Sequence, residues 1–588
     1  MPPSPEIASR DRPFGLTVAW LSGATVVAAL VRVWATSVNP GACYDAYLYA
    51  GHSEFLAAGD LDIAFSYLNL NVFIALLAAA IGCGLDPLVF GKVVSTTAAL
   101  LTIFPLFAFV KRMYGDRVAV AACAMYAVHP AMAKLSAEPI RDPLFLMFFA
   151  TALWGIRSLV DRPTGMRAVA AGLAVTAAIH TRSEGWALFV PLVGWTLVAC
   201  WKRRHADKPF RGWAVQTAAA AAAAAVLPAA ILLVNVTLLR GHDRWEVGRL
   251  APLTIGLGID LKKLHAKPAA APTPPLPSVE SDTAAAAKPL PAATPVPTAT
   301  PVPTVPAVER VVVTERARNA DLPRRPFLHV YTLDVANTFH PLITALMLVG
   351  LVRFTHKLAD PDHFVSTVTV AFVFAAVGLR LARHGEINGR YFCPVFFLAV
   401  GAAGDGLVWL VDIVRTRLAG THWPAVGAAA VTLAAVGLAA DIVLWVDPNR
   451  ARAIELAERF AAELPRPIVL ATSPTAGRLG NHLARARHAI DGVSFPRVYP
   501  LAGHGPPPMT AERLGADAVL IETYHAPADV AQSFLDQFAA AGYVVHDWPD
   551  EPVADRYVLM LKPVPLDNPA ARVDPMTARA DTPRRTYR

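Results

Sequence analysis

The sequence contains few charged residues and no paired cysteines. Only 17% of the 588 residues are Asp, Glu, Lys or Arg, against about 25% in an ordinary soluble domain. The five cysteines are scattered without a CxxC pair, which indicates neither a metal site nor a disulfide framework. A Ser/His/Asp pattern, an HExxH motif and a Walker loop are also missing, so the signatures of those hydrolases and nucleotide-binding proteins are absent.

Long apolar runs are what the sequence has in abundance. Hydrophobic residues make up 55% of the chain and its mean hydropathy is +0.42. Because apolar runs near 20 residues recur, we predict a polytopic α-helical membrane protein. The net charge of +8 comes largely from Lys and Arg in short loops between these runs. This is the positive-inside pattern, and it favours membrane lipids rather than nucleic acid as a partner.

The apolar runs predict about eleven transmembrane helices. The run at 69–82 is too short to cross a membrane and is expected to lie along the interface. Counting it as a span would move most short basic loops outside, whereas eleven spans keep them in the cytoplasm together with the N-terminus. The predicted spans are 16–35, 88–110, 118–134, 143–160, 167–181, 185–201, 213–238, 328–352, 363–381, 391–414 and 424–446.

We therefore expect a multi-pass protein of the cell (inner) membrane, with no removed signal peptide because no cleavage site follows the first apolar run. The transmembrane domain covers 1–447, with an outer first loop at 36–87 and a long Pro/Ala-rich outer loop at 239–327. Strands such as DAVLIET alternate with helices over 448–565 and predict a small extracytoplasmic α/β domain. Residues 566–588 are expected to be a disordered tail.

The first outer loop carries an unusual set of polar side chains. Asp45 follows the break at Asn39-Pro40-Gly41, and Asp45, Tyr49 and His52 have helical i, i+4, i+7 spacing. The three side chains would share one face of an interfacial helix, opposite an apolar face. For Asp45 alone, a solvated loop carboxylate is the more ordinary explanation.

Three further outer turns mix acidic and basic residues. Any one of them could be an interfacial anchor or a local ion pair. Together with the first loop, they predict a shared polar pocket at the level of the membrane surface. The residues are Glu138, Arg141 and Asp142 in SAEPIRDPLF, Arg182 and Glu184 in HTRSEGW, and His384, Glu386, Arg390 and Tyr391 in RHGEINGRYFCP.

Carboxylates beside arginines suit the transfer of a sugar from a lipid phosphate. A carboxylate can accept the proton of an acceptor hydroxyl. An arginine can hold the anionic leaving phosphate through bidentate, charge-assisted hydrogen bonds. A pocket at the membrane surface is accessible to a lipid-linked donor.

On the motifs YDAYLYAG, SAEPIRDPLF, HTRSEGW and GRYFCP, the chain resembles the GT-C glycosyltransferases, which use polyprenyl-phosphate sugars. It is most similar to the branch with the protein O-mannosyltransferases and the lipid A aminoarabinose transferase. The resemblance implies a hexosyl- or pentosyltransferase with a polyprenyl-phosphate-sugar donor and a lipid, glycan or protein acceptor. Many relatives carry an Asp-Glu pair in the first loop, whereas Ala46 follows Asp45 here.

The resemblance implies roles for the polar pocket. Asp45 is the expected catalytic carboxylate, which acts as the general base or orients the acceptor hydroxyl, and Asp142 or Glu138 would supply a second carboxylate if a pair is needed. Arg390 is the first candidate for the donor phosphate. Relatives differ in their need for a metal, so the sequence assigns no certain cofactor, and Asp45 with Asp142 could bind a divalent metal through oxygen ligands. The substrate-binding candidates are Tyr49, His52, Arg141, Arg182, Glu184, His384, Glu386, Arg390 and Tyr391.

Two other classes of function remain open. A transporter or lipid flippase would place charges within the spans and show repeat symmetry with broken helices. A structural or assembly protein would bind a partner through its outer domain. The polar outer turns favour the transferase, because the assembly role leaves them unexplained.

Overall fold

We describe the protein from a computed structural model. The first part of the chain is described over residues 14–39, 42–59, 61–64, 71–204, 210–238, 335, 338–354, 360–384, 389–417 and 437. The last part is described over residues 470–472, 498–500, 518–522, 528–545 and 557–561.

Helices dominate the described part of the first 417 residues. They are α1 (Phe14–Ser37), α2 (Tyr44–Ala57), α3 (Leu61–Ala64), α4 (Val72–Gly82), α5 (Pro87–Leu101), α6 (Ile103–Tyr114), α7 (Asp116–Val128), α8 (Pro130–Ser136), α9 (Asp142–Asp161) and α10 (Gly165–Thr181). They continue with α11 (Phe189–Arg204), α12 (Phe210–Leu238), α13 (Pro341–Phe354), α14 (Pro361–His384) and α15 (Cys393–Arg417). Short 3₁₀ turns at Ser183–Leu188 and Gly389–Phe392 precede α11 and α15.

The described residues contain six helices long and apolar enough to cross a membrane, or seven if a bent pair is one span. The bent pair is α7 with α8, which meet at 58° within the predicted span 118–134. Helix α4 has 11 residues, about 16 Å at 1.5 Å per residue, which is short of the bilayer core. A total of eleven spans stays a prediction, because nearly all of 424–446 lies outside the described residues.

Local sequence signals explain where the outer helices begin. The Asn71 side chain accepts a hydrogen bond from the Ile74 N–H (3.0 Å) and caps α4. Asp86 caps α5 in the same way, with Pro87 in the first turn. Pro130 lacks an N–H and clashes with a preceding helical turn, so α7 ends at Val128 and α8 starts after the break.

A buried arginine from α1 stabilises this break. Arg32 is 0% exposed, and its guanidinium donates to the carbonyls of Ala127 (3.1 Å) and Tyr126 (3.4 Å). These carbonyls lie at the end of α7, where the last carbonyls of a helix need donors from outside it; the Tyr126 carbonyl also accepts from the His129 N–H at 3.4 Å. The guanidinium also lies over the Tyr126 ring, 4.8 Å from its centroid. Arg32 thus satisfies the polar groups that the break exposes within an apolar region.

Small residues allow α13 and α15 to pack closely. A Cβ on Gly406 would lie 2.5 Å from the Leu346 carbonyl oxygen, and a Cβ on Gly350 would clash with the Ala402 carbonyl. Backbones can approach this closely only where side chains are absent, as is common between membrane helices. The packing fixes α15, which begins directly after the turn that carries Arg390.

Ion pairs join helix ends at one end of the bundle. Arg157 of α9 makes two hydrogen bonds to Asp362 of α14, at 2.7 and 3.2 Å. Lys202 of α11 also binds Asp362, at 2.8 Å. These helix ends belong to the basic loops that the sequence analysis assigns to the cytoplasm. They lie at the far ends of α9 and α14 from the predicted outer turns.

The membrane orientation can be tested directly. Reporter fusions at positions 84, 205 and 500 should read outside, inside and outside, because only an odd number of spans keeps the short basic loops in the cytoplasm. The fusion at 205 serves as the internal reference. An inside signal at 500 would contradict the orientation, since the last part of the chain would then lie opposite the first outer loop.

The last part of the chain contains a five-stranded mixed sheet of order β2-β1-β3-β5-β4. Strand β1 pairs in parallel with β2 and β3, and β5 pairs antiparallel with β3 and β4. The three-residue strand β2 is not among the strands predicted from the sequence. A separate domain over 448–565 stays a prediction, and 566–588 lies outside the described residues. The elements are β1 (Leu470–Thr472), β2 (Val498–Pro500), β3 (Ala518–Glu522), α16 (Ala528–Ala540), β4 (Val544–Val545) and β5 (Tyr557–Leu561).

Candidate active site

The Asp45 carboxylate forms an ion pair with the Arg390 guanidinium. Asp45 lies in the first turn of α2, and Arg390 lies in the 3₁₀ turn before α15. Their side chains are 24% and 22% exposed. The two predicted site residues therefore meet at a position that is sheltered but still open to a ligand.

A second, deeper cluster surrounds Arg182 in the turn between α10 and α11. Its Nη1 donates to Asp142 Oδ1 at the start of α9. Its Nη2 and Nε donate to the two oxygens of Glu184, at 2.8 and 3.2 Å. The Arg182 and Asp142 side chains are each only 4% exposed. One guanidinium thus joins two carboxylates from different predicted outer turns.

The electrostatics of this cluster keep Arg182 charged. Burial alone would lower the pKa of Arg182, but the Asp142 and Glu184 carboxylates raise it well above its usual value. The second oxygen of Asp142, Oδ2, is buried and makes no hydrogen bond to the described residues. A buried carboxylate oxygen without a partner is costly, so this atom retains an unused capacity to accept a hydrogen bond.

Aromatic rings connect the clusters. The Arg182 guanidinium lies over the Tyr391 ring at 5.2 Å, and Tyr391 adjoins Arg390 in the chain. The Arg141 guanidinium lies over the Tyr49 ring at 5.4 Å. Such cation–π contacts hold a guanidinium in place without occupying all its N–H donors.

Tyr49 lies at the centre of these charges. Burial raises the pKa of Tyr49 to about 12. The carboxylates of Asp45 and Asp142 also raise it, and the guanidinium groups of Arg141 and Arg182 oppose that effect. The phenol therefore keeps its proton at neutral pH and remains a hydrogen-bond donor.

Two other predicted residues bind groups of the predicted first loop, 36–87. Glu138 accepts hydrogen bonds from the Asn39 side-chain amide and the Cys43 backbone N–H, both at 2.9 Å. The Nδ1 atom of His52 lies 2.9 Å from the Ala64 carbonyl. Both side chains are buried, at 7% and 8% exposed. They hold the first outer loop together.

The remaining predicted residues are not placed by the structure. Glu386 lies outside the described residues, as does the side chain of His384, the last residue of α14. Among the described residues, no group of three or more His, Cys, Asp or Glu is arranged to hold a metal ion. Asp45 and Asp142 are each paired with an arginine.

Sequence reasoning did not select Asn39, Lys92 or Phe145. The Lys92 Nζ donates to the Asn39 carbonyl at 2.9 Å, and Arg182 also lies 5.9 Å from the Phe145 ring centroid. The break at Asn39-Pro40-Gly41 signalled a turn, but its partners lie on distant helices. No local feature of the sequence indicates these contacts.

The turn that carries Arg182 and Glu184 depends on Gly185. A Cβ at Gly185 would lie 2.6 Å from the Ile179 backbone nitrogen and 2.7 Å from the Ala178 carbonyl carbon. Backbone cannot move aside cheaply, so Gly185→Ala should destabilise the protein by about 1–3 kcal/mol. Thermal unfolding in detergent measures this. Gly165→Ala is the control, because nothing lies within 4 Å of a Cβ there; equal stability of the two variants would contradict the prediction.

Comparison with known proteins gives one family match. Residues 70–232 match the family described as dolichyl-phosphate-mannose-protein mannosyltransferase. This region contains the turns with Glu138, Arg141, Asp142, Arg182 and Glu184, and it ends before Arg390. No curated protein sequence matches the chain.

Solved structures share the fold over most of the chain. ArnT from Cupriavidus metallidurans, bound to undecaprenyl phosphate, aligns with a TM-score of 0.50 and 12% identity, covering 95% of this chain and 100% of ArnT. The Archaeoglobus fulgidus oligosaccharyltransferase, tethered with an acceptor peptide, aligns with a TM-score of 0.47 and 12% identity. That alignment covers 93% of this chain and 75% of the oligosaccharyltransferase.

The family match and the fold shared with ArnT confirm the resemblance to the GT-C glycosyltransferases. The chain is an integral membrane protein with a GT-C fold. The family match and the fold together support a membrane glycosyltransferase of the GT-C type.

Proposed function

We propose that this protein transfers a sugar from a polyprenyl-phosphate donor to an acceptor hydroxyl at the extracytoplasmic surface of the membrane. The observation that carries the proposal is the convergence of three guanidinium groups with three carboxylates from separate outer segments. They are Asp45, Arg141, Asp142, Arg182, Glu184 and Arg390.

The reaction moves one negative charge across this site. The acceptor oxygen bonds to the anomeric carbon, the bond from that carbon to the phosphate oxygen breaks, and the acceptor proton passes to a carboxylate. The donor phosphodiester carries one negative charge. The leaving phosphomonoester carries about −1.5 to −2 near pH 7. A carboxylate is neutralised as the phosphate gains charge, so fixed guanidiniums beside both positions stabilise the transition state.

We assign the proton to Asp45. Asp45 is 24% exposed and is held by one arginine, whereas Asp142 is buried against Arg182. A donor phosphate that binds Arg390 would take the place of Asp45 and leave its carboxylate facing the acceptor. Asp142 Oδ2, which lacks a partner among the described residues, would orient the acceptor hydroxyl.

Arg390 is our assignment for the donor phosphate, with Arg182 and Arg141 close by. Arginine keeps its charge at any working pH and matches phosphate oxygens with paired N–H groups. The structure of ArnT was determined with undecaprenyl phosphate bound, which supports a lipid phosphate as the leaving group. The family description supports a mannose-like sugar and a protein acceptor. A lipid or glycan acceptor uses the same chemistry.

The proposal is tested by incubating the purified protein with a panel of radiolabelled polyprenyl-phosphate sugars and washed membranes of the source cells. We expect one donor to pass its label to an acceptor and to release polyprenyl phosphate in equal amount. Donor that crosses sealed vesicles without sugar transfer would support a flippase instead. Absence of transfer from every donor would overturn the proposal.

A further inference from the structure

Glu138 joins the first outer loop to the turn between α8 and α9. One carboxylate oxygen accepts from the Asn39 side-chain amide and the other from the Cys43 backbone N–H, both at 2.9 Å. The Glu138 side chain is buried. Both oxygens are therefore used within the protein, unlike the open oxygen expected of a group that takes a proton from substrate.

The contact with Cys43 is placed at the start of α2. Cys43 is the N-cap residue of this helix, and its own side chain makes no capping hydrogen bond. In a capping box, a glutamate three residues into the helix accepts from the N-cap N–H. Here a glutamate from a segment 95 residues away does so. Its negative charge also suits the positive end of the helix dipole.

Helix α5 contacts the turn that carries Glu138. The Ser95 hydroxyl donates to the Ile140 carbonyl at 2.8 Å, and Lys92 donates to the Asn39 carbonyl at 2.9 Å. A Cβ on Gly91 would lie 2.9 Å from the Pro139 side chain, so the turn packs directly on α5. Glu138 is thus rigidly placed when it receives the Cys43 N–H.

Both residues of the Glu138–Cys43 contact lie a few positions before candidate site residues in the sequence. Asp45 lies two residues after Cys43, and Arg141 and Asp142 lie three and four residues after Glu138. We propose that Glu138 and Asn39 are positioning residues that fix Asp45 relative to Arg390. This inference rests on the proposed function and assigns Glu138 a different role from the catalytic one expected from sequence.

Exchanging the donor and acceptor of the buried pair tests the assignment. Asn39→Asp sets two carboxylates against each other and should lower turnover by about tenfold or more, because misplacement by 1 Å can cost about 10²-fold. In the double variant Asn39→Asp/Glu138→Gln, the glutamine amide can donate to the carboxylate introduced at position 39, and its oxygen can accept from Cys43. We expect the double variant to recover at least half of the lost turnover.

Two single variants complete the set. Glu138→Ala removes the cap and should lose activity, whereas Glu138→Gln keeps an acceptor for Cys43 and should retain clearly more activity than the alanine variant. Asp86→Asn is the control for Glu138→Gln. It also replaces a carboxylate by an amide at the start of a helix, here α5, where asparagine caps equally well. If Glu138 were a proton acceptor, Glu138→Gln and the double variant would both be inactive. That result would overturn the proposal.

Hydrogen exchange of peptides covering 39–50 separates this inference from the proposed function. The Cys43 N–H should exchange faster in Glu138→Ala and Asn39→Asp, and return toward the parent rate in the double variant. This holds even if no polyprenyl-phosphate sugar is a donor. Unchanged exchange in all variants would overturn the capping role, whatever the activity.

Discussion

Asp45→Asn should lower turnover by about 10²–10⁴-fold, the range that a general base contributes. Asparagine keeps the shape of the side chain but cannot accept the acceptor proton. The KM for the donor should stay the same or fall, because the variant no longer competes with the phosphate for Arg390. Steady-state kinetics measure both parameters, with the donor that the panel of radiolabelled polyprenyl-phosphate sugars identifies.

Glu54→Gln is the matched control for this experiment. It replaces a carboxylate by an amide on the same helix, α2, and should turn over like the parent. Thermal unfolding of both variants shows that each is folded. Parent-like turnover in Asp45→Asn would contradict our assignment, and Asp142 would then be the remaining candidate for the base.

Arg390→Lys should weaken donor use by at least tenfold, about 1.4 kcal/mol. Lysine can keep one hydrogen bond to Asp45, but its single ammonium cannot hold two phosphate oxygens as a guanidinium does. An arginine that only placed its charged end at the membrane–water interface would tolerate replacement by lysine. The pairing of Arg390 with Asp45 argues against such a passive role.

Donor affinity is measured by competition with unlabelled polyprenyl phosphate. Arg415→Lys is the control, since Arg415 is exposed at the opposite end of the same helix, α15. We expect no change there. Equal donor affinity in Arg390→Lys and the parent would shift the phosphate contact to Arg182.

The length and apolar character of a span are local properties, and six of the eleven predicted spans coincide with described helices that are long and apolar enough to cross a membrane. The predicted span 143–160 corresponds to α9, and 391–414 to α15. The position of Asp45 near the start of an outer helix also followed from the break before it. These features depend on neighbours in the chain, so they can be read without knowledge of the packing.

The pairing of acidic with basic side chains could not be predicted from neighbouring residues in the chain. Asp45 in α2 pairs with Arg390 in the turn before α15, and no periodicity relates two segments so far apart. Glu138 resembles a catalytic acid in sequence because its partner Asn39 lies 99 residues away and its partner Cys43 contributes only a backbone N–H. A backbone partner leaves no trace in the residue types.

Arg32 has a consequence for the order in which the membrane domain assembles. Its guanidinium is satisfied by carbonyls 94 and 95 residues later in the chain, which emerge roughly 5–20 s afterwards at about 5–20 residues per second. An unpaired arginine in the bilayer costs about 2.5–3.5 kcal/mol near the centre of a helix and less where it can reach the interface. We therefore expect the first helix to be inserted less stably until Tyr126 and Ala127 have been synthesised and can accept from Arg32.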